Sequence, residues 1–262
     1  MGTGTFIGYQ LVLRATDDRV LCPDAARRRA LARTTASVGL ERGLLAFGAA
    51  DTHLHVLAIC DRPAAGKFAQ ALALALRPAL RLPVGFDCTR ITPIEDQHHL
   101  RSAFAYVQRN ARRHGVADPD ATEASSLHDL LGLRRSAPWL PDRVRRALPR
   151  VTRAVLVELM AVPEPADFQT PGAGLADAAA ALFALPDLAG KGAEAVRARV
   201  AALSIVEALW TPEASAKALG ITPRAARRLA LREVDALDVA ALRRQLAWRE
   251  TVRRVSPESA TY

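Results

Sequence analysis

The sequence predicts an α+β protein whose first half mixes strands with helices and whose second half is all helical. Up to residue 91, short runs of alternating or apolar residues have the length and spacing of β-strands. Between these runs, apolar residues recur at helical spacing, as Phe68, Leu72, Leu76 and Leu80 do. Beyond residue 133 the chain is rich in Ala, Leu and Arg and keeps only the helical period. Half of its 262 residues are hydrophobic, which is enough for a substantial core.

The first half gives a definite order of elements. The predicted elements are a strand at 6–14, a helix at 23–38, strands at 44–50 and 51–60, a helix from 63 to 80, a strand at 86–91, and a helix from 95 to about 115. Asp51 and Thr52 form a tight turn between the second and third strands, which makes them a hairpin. The order βαββαβ is the ferredoxin-like arrangement, in which an antiparallel sheet has its first and third strands as central neighbours.

The second half is predicted to contain helices around a proline-rich linker. Pro163, Pro165 and Pro171 mark that linker, and helices are expected in 139–160, 175–185, 195–210, 213–219, 224–231 and 239–254. Thr211-Pro212 and Thr222-Pro223 each place an N-cap before a proline at the first helical position. Two short helices with Gly220 between them are typical of a helix-turn-helix, although an ordinary helical hairpin has the same pattern. We predict domains at 1–132 and 194–262, with 133–193 as a connector.

Charge and cysteine content narrow the class of protein. Lys and Arg number 36 against 27 acidic residues, giving a net charge of +9. This excess favours a polyanionic partner, although a solvated arginine-rich surface is the simpler interpretation. Cys22, Cys60 and Cys88 form no CxxC motif and no even set, so we expect reduced, buried thiols in a cytoplasmic protein. No signal-peptide layout and no apolar run of about 18 residues is found, so we expect no membrane partner.

Two stretches carry the residues that could do chemistry. His53 and His55 are separated by one residue in a strand, so their imidazoles project from the same face and could bind a divalent metal ion. Tyr106 and Asn110 are four residues apart in the predicted helix over 103–110, so they share a face. If that helix packs on the histidine strand, all four side chains converge. A hydrogen-bonded surface histidine pair and a tyrosine used for packing are the alternatives.

These residues resemble a known family. His53-Leu54-His55 after a hairpin, followed by Tyr106-Val107-Gln108-Arg109-Asn110 on a later helix and by Ser125-Ser126, is similar to the HUH endonuclease superfamily. Within it, the pattern looks most like the single-tyrosine insertion-sequence transposases associated with REP sequences. The resemblance covers about residues 6 to 132. The chain departs from the family pattern at Asp51-Thr52, where Pro-Asn is usual, and at Ala111, where Pro is usual.

The resemblance implies an enzyme that cleaves and rejoins single-stranded DNA. Tyr106 would be the nucleophile and would form a 5′-phosphotyrosine, while His53, His55 and Asn110 would bind Mg²⁺ or Mn²⁺. A DNA nickase and ligase of this kind would be an active or a domesticated transposase, acting as a monomer or a dimer on hairpin or repeat DNA. The alternative is a non-catalytic transcriptional regulator that keeps the fold and binds duplex DNA through the helix-turn-helix.

Arginines are the expected DNA contacts, because guanidinium groups pair with phosphates. The expected contacts are Arg14, Arg27, Arg28, Arg109, Arg112, Arg113, Arg224, Arg227 and Arg228, with Arg29 belonging to the same cluster as Arg27 and Arg28.

Overall fold

The computed structural model describes residues 6–110, 119–160 and 174–255. These residues form two compact units, one made of residues up to 130 together with 137–160, and the other of 131–136 together with the chain after 160. The stretch 133–193, assigned to a connector above, is therefore shared between the two units. Pro163, Pro165 and Pro171 of the expected linker lie outside the described residues.

The first unit is built on a four-stranded antiparallel sheet, which confirms the α+β class. Its strands are β1 (Gly8–Arg14), β2 (Leu44–Ala50), β3 (His53–Ala58) and β4 (Arg90–Ile94). They lie in the order β2-β3-β1-β4, and every neighbouring pair is antiparallel. The first and third strands are thus the central pair, as the order of elements predicted.

The fourth strand lies later in the chain than the sequence predicted. Residues 86–91 were expected to form it, but the strand begins at Arg90 and ends at Ile94. Phe86 makes only an isolated bridge to Ala15, and Asp87 N donates to Arg14 O. Residues 86 and 87 therefore contact the end of β1 through isolated hydrogen bonds and do not form a strand. The continuous ladder forms only where 90–94 pair with β1.

The predicted hairpin is present, with Asp51 and Thr52 between β2 and β3. Asp51 has a φ of 42°, in the left-handed region that aspartate tolerates better than most residues. This turn fixes the register in which Gly48 of β2 lies opposite His55 of β3.

Helices cover both faces of this sheet. The helices of the first unit are α1 (Ala25–Gly39), α2 (Arg62–Ala79), α3 (Gln97–Gln108), α4 (Leu127–Leu130), α5 (Leu140–Ala147) and α6 (Arg153–Met160), with a 3₁₀ helix at Pro119–Ala124. Leu11, Leu13, Leu54 and Val56 of the central strands form one core with residues of α1 and α2. Helix α3 packs against β2 and β3.

Helix α3 is shorter than expected. The sequence predicted one helix through Asn110 to about residue 115, but α3 ends at Gln108, and residues 111–118 lie outside the described residues. The amide of Arg109, the C-cap residue, bonds to the carbonyls of Ala105 and Val107. Asn110 is helical again after the break at Arg109, so it lies just beyond α3 and not in the same continuous helix as Tyr106.

The second unit is helical. Its helices are α7 (Leu175–Leu182), α8 (Ala193–Val206), α9 (Pro212–Leu219), α10 (Pro223–Ala230) and α11 (Ala236–Val255). The hydroxyl groups of Thr211 and Thr222 accept bonds from Ala214 N and Ala225 N, so both predicted N-caps are confirmed. The core of this unit is made of small and branched residues such as Ala198, Ala202 and Val206.

The three cysteines are free thiols, but they are less uniformly buried than expected. Cys88 is exposed and Cys60 is half-buried. Burial raises the pKa of the Cys22 thiol to about 12 and also raises the pKa of Cys60, with a smaller contribution from Asp61. No helix in the described part of the chain has both the length and the apolar character needed to cross a membrane.

A buried ion pair connects α1 to the 3₁₀ helix. Arg29 Nε lies 3.0 Å from Glu123 Oε2, and both side chains are at most 3% exposed. Arg29 was expected on the surface with Arg27 and Arg28, and that expectation was wrong. In α1, Arg29 falls on the inward face with Leu31 and Ala32, so its charge is matched internally.

We expect Glu123→Ala to destabilise the first unit strongly, because Arg29 would keep a buried charge without its carboxylate. Removing one partner of a buried pair costs about 3–5 kcal/mol of unfolding free energy. Urea unfolding followed by circular dichroism measures the change. Asp142→Ala is the control, since Asp142 and Arg145 form an exposed pair, and exposed pairs contribute at most about 1 kcal/mol. Equal effects of the two substitutions would contradict the prediction.

Candidate functional site

The two histidines of β3 lie side by side on the face of the sheet that α3 covers. Leu54 and Val56 point into the core with α1 and α2, and the alternation of the strand sends His53 and His55 the other way. The two ring centroids are 4.8 Å apart, with the rings at 74°. His55 is buried and His53 is half-buried, so the pair runs from the interior towards solvent.

Tyr106 lies against His55, the buried member of this pair. Its ring meets His55 edge-on, with the centroids 5.3 Å apart and the planes at 79°. The Tyr106 side chain is half-buried, on the flank of α3 between the packed residues Ala103 and Val107 and solvent. The structure therefore brings three of the predicted site residues together.

A glycine allows α3 to approach this closely. Gly48 of β2 lies opposite His55, and the backbone of α3 passes directly over it. A β-carbon built on Gly48 would lie 2.4 Å from Val107 O. Val107 is the neighbour of Tyr106, so the missing side chain at Gly48 sets the distance between the tyrosine and the histidines.

The two serines hold the end of α3 to the edge of the sheet. Ser126 exchanges backbone and side-chain hydrogen bonds with Phe47, and Ser126 N donates to Phe47 O at 2.9 Å. The Gln108 amide donates to Ser126 Oγ at 2.7 Å. Ser125 forms a bridge to Gly48 on the same strand. The Ser125-Ser126 pair thus anchors the last turn of α3 beside β2.

Gln10 of β1 is the polar partner of His55. Its Nε2 lies 2.9 Å from His55 Nδ1. An amide can serve either imidazole tautomer, because its nitrogen donates to a bare Nδ1 whereas its oxygen accepts from Nδ1–H. The second arrangement leaves a lone pair on Nε2, which is the form that binds a metal ion. In the structure the amide nitrogen faces Nδ1, so Gln10 donates and fixes the orientation of the ring, and a half-turn of the amide gives the metal-binding tautomer.

Asn110 is the fourth predicted site residue. Its side chain is fully buried, and neither its Oδ1 nor its Nδ2 has a hydrogen-bond partner among the described residues. A buried amide without a partner loses hydrogen-bond energy, and a bound cation would satisfy the oxygen. Two imidazoles and an amide oxygen suit Mn²⁺ or Mg²⁺ completed by water and phosphate oxygens. In residues 6–110, 119–160 and 174–255, no three His, Cys, Asp or Glu side chains gather as a metal cluster.

The arginines predicted to contact DNA in the first unit differ in what they already bind. Arg14 pairs with Asp18, and this hydrogen bond raises the pKa of the Arg14 guanidinium. Arg27 pairs with Asp24, the N-cap of α1, and Arg28 is half-buried. Arg109 pairs with Glu158 at 3.0 Å. Arg112 and Arg113 lie outside the described residues.

In the second unit, α9 and α10 are joined by a tight turn. Gly220 has a φ of 63° and ends α9, and Thr222 begins α10 two residues later. Arg224, Arg227 and Arg228 are all exposed on α10, and Arg227 pairs with Glu213 at 2.8 Å. The exposed face of α10 is therefore strongly basic.

Sequence reasoning missed Gln10, Gly48 and Ser126 as parts of the site. Two of them had a signal: Gln10 is a polar residue on the same alternating strand face as Val12, and a glycine inside a strand marks a close backbone approach. Ser126 had none beyond the resemblance, because its contacts with Phe47 span 79 residues.

No protein-family model, no curated protein and no solved structure matches the chain.

We expect Gly48→Ala to push α3 away from the sheet and separate Tyr106 from His55. The added β-carbon would overlap Val107 O, and over-packing of this kind costs about 1–3 kcal/mol. Urea unfolding gives the free energy, and the ring-proton NMR shifts of Tyr106 and His55 report the separation.

Gly66→Ala is the matched control for that substitution. Gly66 lies in α2, where a β-carbon would find only Arg62 Nη1 at 3.7 Å. Alanine should stabilise this helix by up to about 1 kcal/mol. Unchanged Tyr106 and His55 shifts in Gly48→Ala would refute the positioning role of Gly48.

Proposed function

We propose that the chain is a metal-dependent enzyme that cleaves and rejoins single-stranded DNA, with Tyr106 as its nucleophile. One observation carries the proposal: the Tyr106 ring lies against His55, which is itself paired with His53 on one face of the sheet. A phenol beside a histidine pair provides a nucleophile and metal ligands within one site. Because Tyr106 is half-buried, part of its side chain is accessible to a DNA strand.

The proposed reaction exchanges one phosphodiester for another. The Tyr106 oxygen bonds to the scissile phosphorus as the bond from phosphorus to the 3′ oxygen breaks. The phenolic proton is lost, and the departing 3′ oxygen takes up a proton from water. The products are a 5′-phosphotyrosine and a free 3′-hydroxyl. A second 3′-hydroxyl can attack this phosphotyrosine and reseal the strand, because the covalent link conserves the bond energy.

The remaining residues of the site would position the reacting groups. His53, His55 and Asn110 would hold Mg²⁺ or Mn²⁺, which when bound supplies positive charge that polarises the phosphate. Gln10 would hold the His55 ring in its orientation, and with its amide oxygen turned to Nδ1–H it would leave a lone pair on Nε2 for the metal. Gly48 and Ser126 would keep α3, and with it Tyr106, at a fixed distance from the sheet.

The architecture supports the same proposal at the level of the fold. The order βαββαβ and the strand order β2-β3-β1-β4 fit a ferredoxin-like HUH domain. The short helices α9 and α10, the turn at Gly220 and the basic face of α10 fit a helix-turn-helix in the second unit. A fold of this type hosts many functions, so the site and not the fold carries the argument.

We expect the chain to form a covalent adduct with single-stranded DNA that requires both metal and Tyr106. Labelled oligonucleotides, including hairpins from the flanks of the gene, are incubated with Mn²⁺ or Mg²⁺ and separated on a denaturing gel. Tyr106→Phe should abolish the adduct, because the phenylalanine ring keeps the packing against His55 but has no oxygen to attack phosphorus.

Tyr9→Phe is the matched control, since Tyr9 lies in the core on the opposite face of the sheet and should not affect the adduct. Chelation of the metal should remove the adduct in the unsubstituted protein. An adduct that survives Tyr106→Phe would refute Tyr106 as the nucleophile.

We expect Gln10→Leu to weaken Mn²⁺ binding by about 10- to 100-fold, which is typical when the hydrogen-bond partner of a metal-binding histidine is lost. Titration calorimetry or the EPR signal of free Mn²⁺ measures the affinity without any reaction. Gln70→Leu is the control, because Gln70 is exposed on α2. Equal Mn²⁺ affinity in Gln10→Leu and the unsubstituted protein would contradict the proposed role.

A second candidate function is supported by the second unit. Arg224 and Arg228 are exposed at α10 without an ion pair to any described residue, as expected of a helix that contacts DNA. A non-catalytic regulator would bind duplex DNA through this helix. Tight duplex binding that is lost in Arg224→Ala with Arg228→Ala, together with no adduct under any metal condition, would favour the regulator over the enzyme.

A further inference from the structure

A basic cleft opens in the first unit along the amino-terminal half of α3. Its volume is about 510 Å³. Gln97, His98 and Arg101 line it from α3, and Arg146 and Arg150 line it from the end of α5 and the segment after it. A cleft of this size can hold a phosphate group with its attached sugar.

The cationic groups of this cleft are not neutralised by acidic side chains. No Asp or Glu lines it, and Arg101, Arg146 and Arg150 form no ion pair with any residue of the described part of the chain. Asp96 lies next to the cleft, but its carboxylate caps α3 by accepting from His99 N. Three guanidinium groups therefore line one cavity that has no carboxylate among its lining residues.

The other two arginines of α5 already have partners within the described part of the chain, unlike Arg146. Arg143 donates to the carbonyls of Gly39, Leu40 and Leu44, so its role is structural. Arg145 pairs with Asp142. Among the three arginines of this helix, Arg146 faces the cleft and keeps its hydrogen-bonding capacity for a ligand.

We propose that this cleft binds the phosphate backbone of the single-stranded DNA on which Tyr106 acts. Guanidinium groups match phosphate oxygens in shape and charge, and several of them around one cavity fit a phosphodiester better than a neutral ligand. The inference rests on the proposed DNA substrate, and it adds a binding site separate from the histidine pair.

The position of the cleft relative to Tyr106 suggests the path of the strand. Arg101 and Tyr106 are five residues apart on α3, which separates them by about 7.5 Å along the helix axis and by about 140° around it. The two sites therefore lie on opposite flanks of one helix. A strand that contacts both crosses the exposed face of α3, where Ser102 and Arg109 are located.

The test is the affinity of the full chain for a labelled single-stranded oligonucleotide, measured by fluorescence anisotropy at several salt concentrations. All proteins carry Tyr106→Phe, so that binding is measured without cleavage. Arg146→Ala should weaken binding by about ten-fold, as expected for one charge-assisted hydrogen-bonded contact. It should also reduce the slope of log K against log salt by about 0.7, the value for one phosphate contact on a single strand.

Arg145→Ala is the matched control, because it removes the same charge from the residue adjacent to Arg146 on the same helix. It should change the affinity and the salt slope much less than Arg146→Ala does. Arg101→Ala should behave like Arg146→Ala. Thermal unfolding should be unchanged in all three, since these side chains are exposed.

The outcomes separate this inference from the proposed chemistry. Equal effects of Arg145→Ala and Arg146→Ala would overturn the proposal that the cleft binds DNA, whatever the adduct assay gives. A specific Arg146 effect in a protein that forms no adduct would support the cleft while refuting the nuclease. Absence of any single-strand binding by the protein with an intact cleft would overturn both.

Discussion

The close packing of α3 on the sheet at Gly48 is the constraint on which the candidate site depends. Helix α3 can lie over β2 and β3 only because no side chain separates Gly48 from Val107 O. Ser126 then fixes the end of the helix through Gln108, so the helix can neither lift nor slide easily. With the helix held at this distance, the Tyr106 ring meets His55 edge-on.

The sheet contributes the rest of the site, because its apolar side chains lie on one face and its histidines on the other. On one face, Leu54 and Val56 belong to the core that α1 and α2 complete. On the other, a buried imidazole needs a polar partner, and the amide of Gln10 on the adjacent strand provides it. Because β1 and β3 are the central strands, both residues are held by ladders on each side, and the His55 side chain is buried. Rigid elements of this kind hold side chains more precisely than loops do.

The arginines that give the chain its net charge of +9 are not equally available to a ligand. Arg29 forms a buried ion pair, Arg143 donates hydrogen bonds to backbone carbonyls, and Arg109 pairs with Glu158. The arginines of the α3 cleft and two on α10 keep their donors for solvent or a ligand. A count of basic residues therefore overstates the surface available to a polyanion, and the local pairing identifies which arginines matter.

The sequence by itself determined the α+β class, the hairpin, the order of strands and the side-by-side histidines, because these follow from local periodicity and turn chemistry. Period-two alternation puts His53 and His55 on one face in any strand. The boundaries of β4 were wrong, since they depend on where β1 offers a ladder partner, and the break in the tyrosine helix at Arg109 depends on its capping bonds. Only the tertiary structure placed Tyr106 against His55, paired Gln10 with it and buried Arg29, because each of these contacts joins residues more than 40 positions apart in the chain.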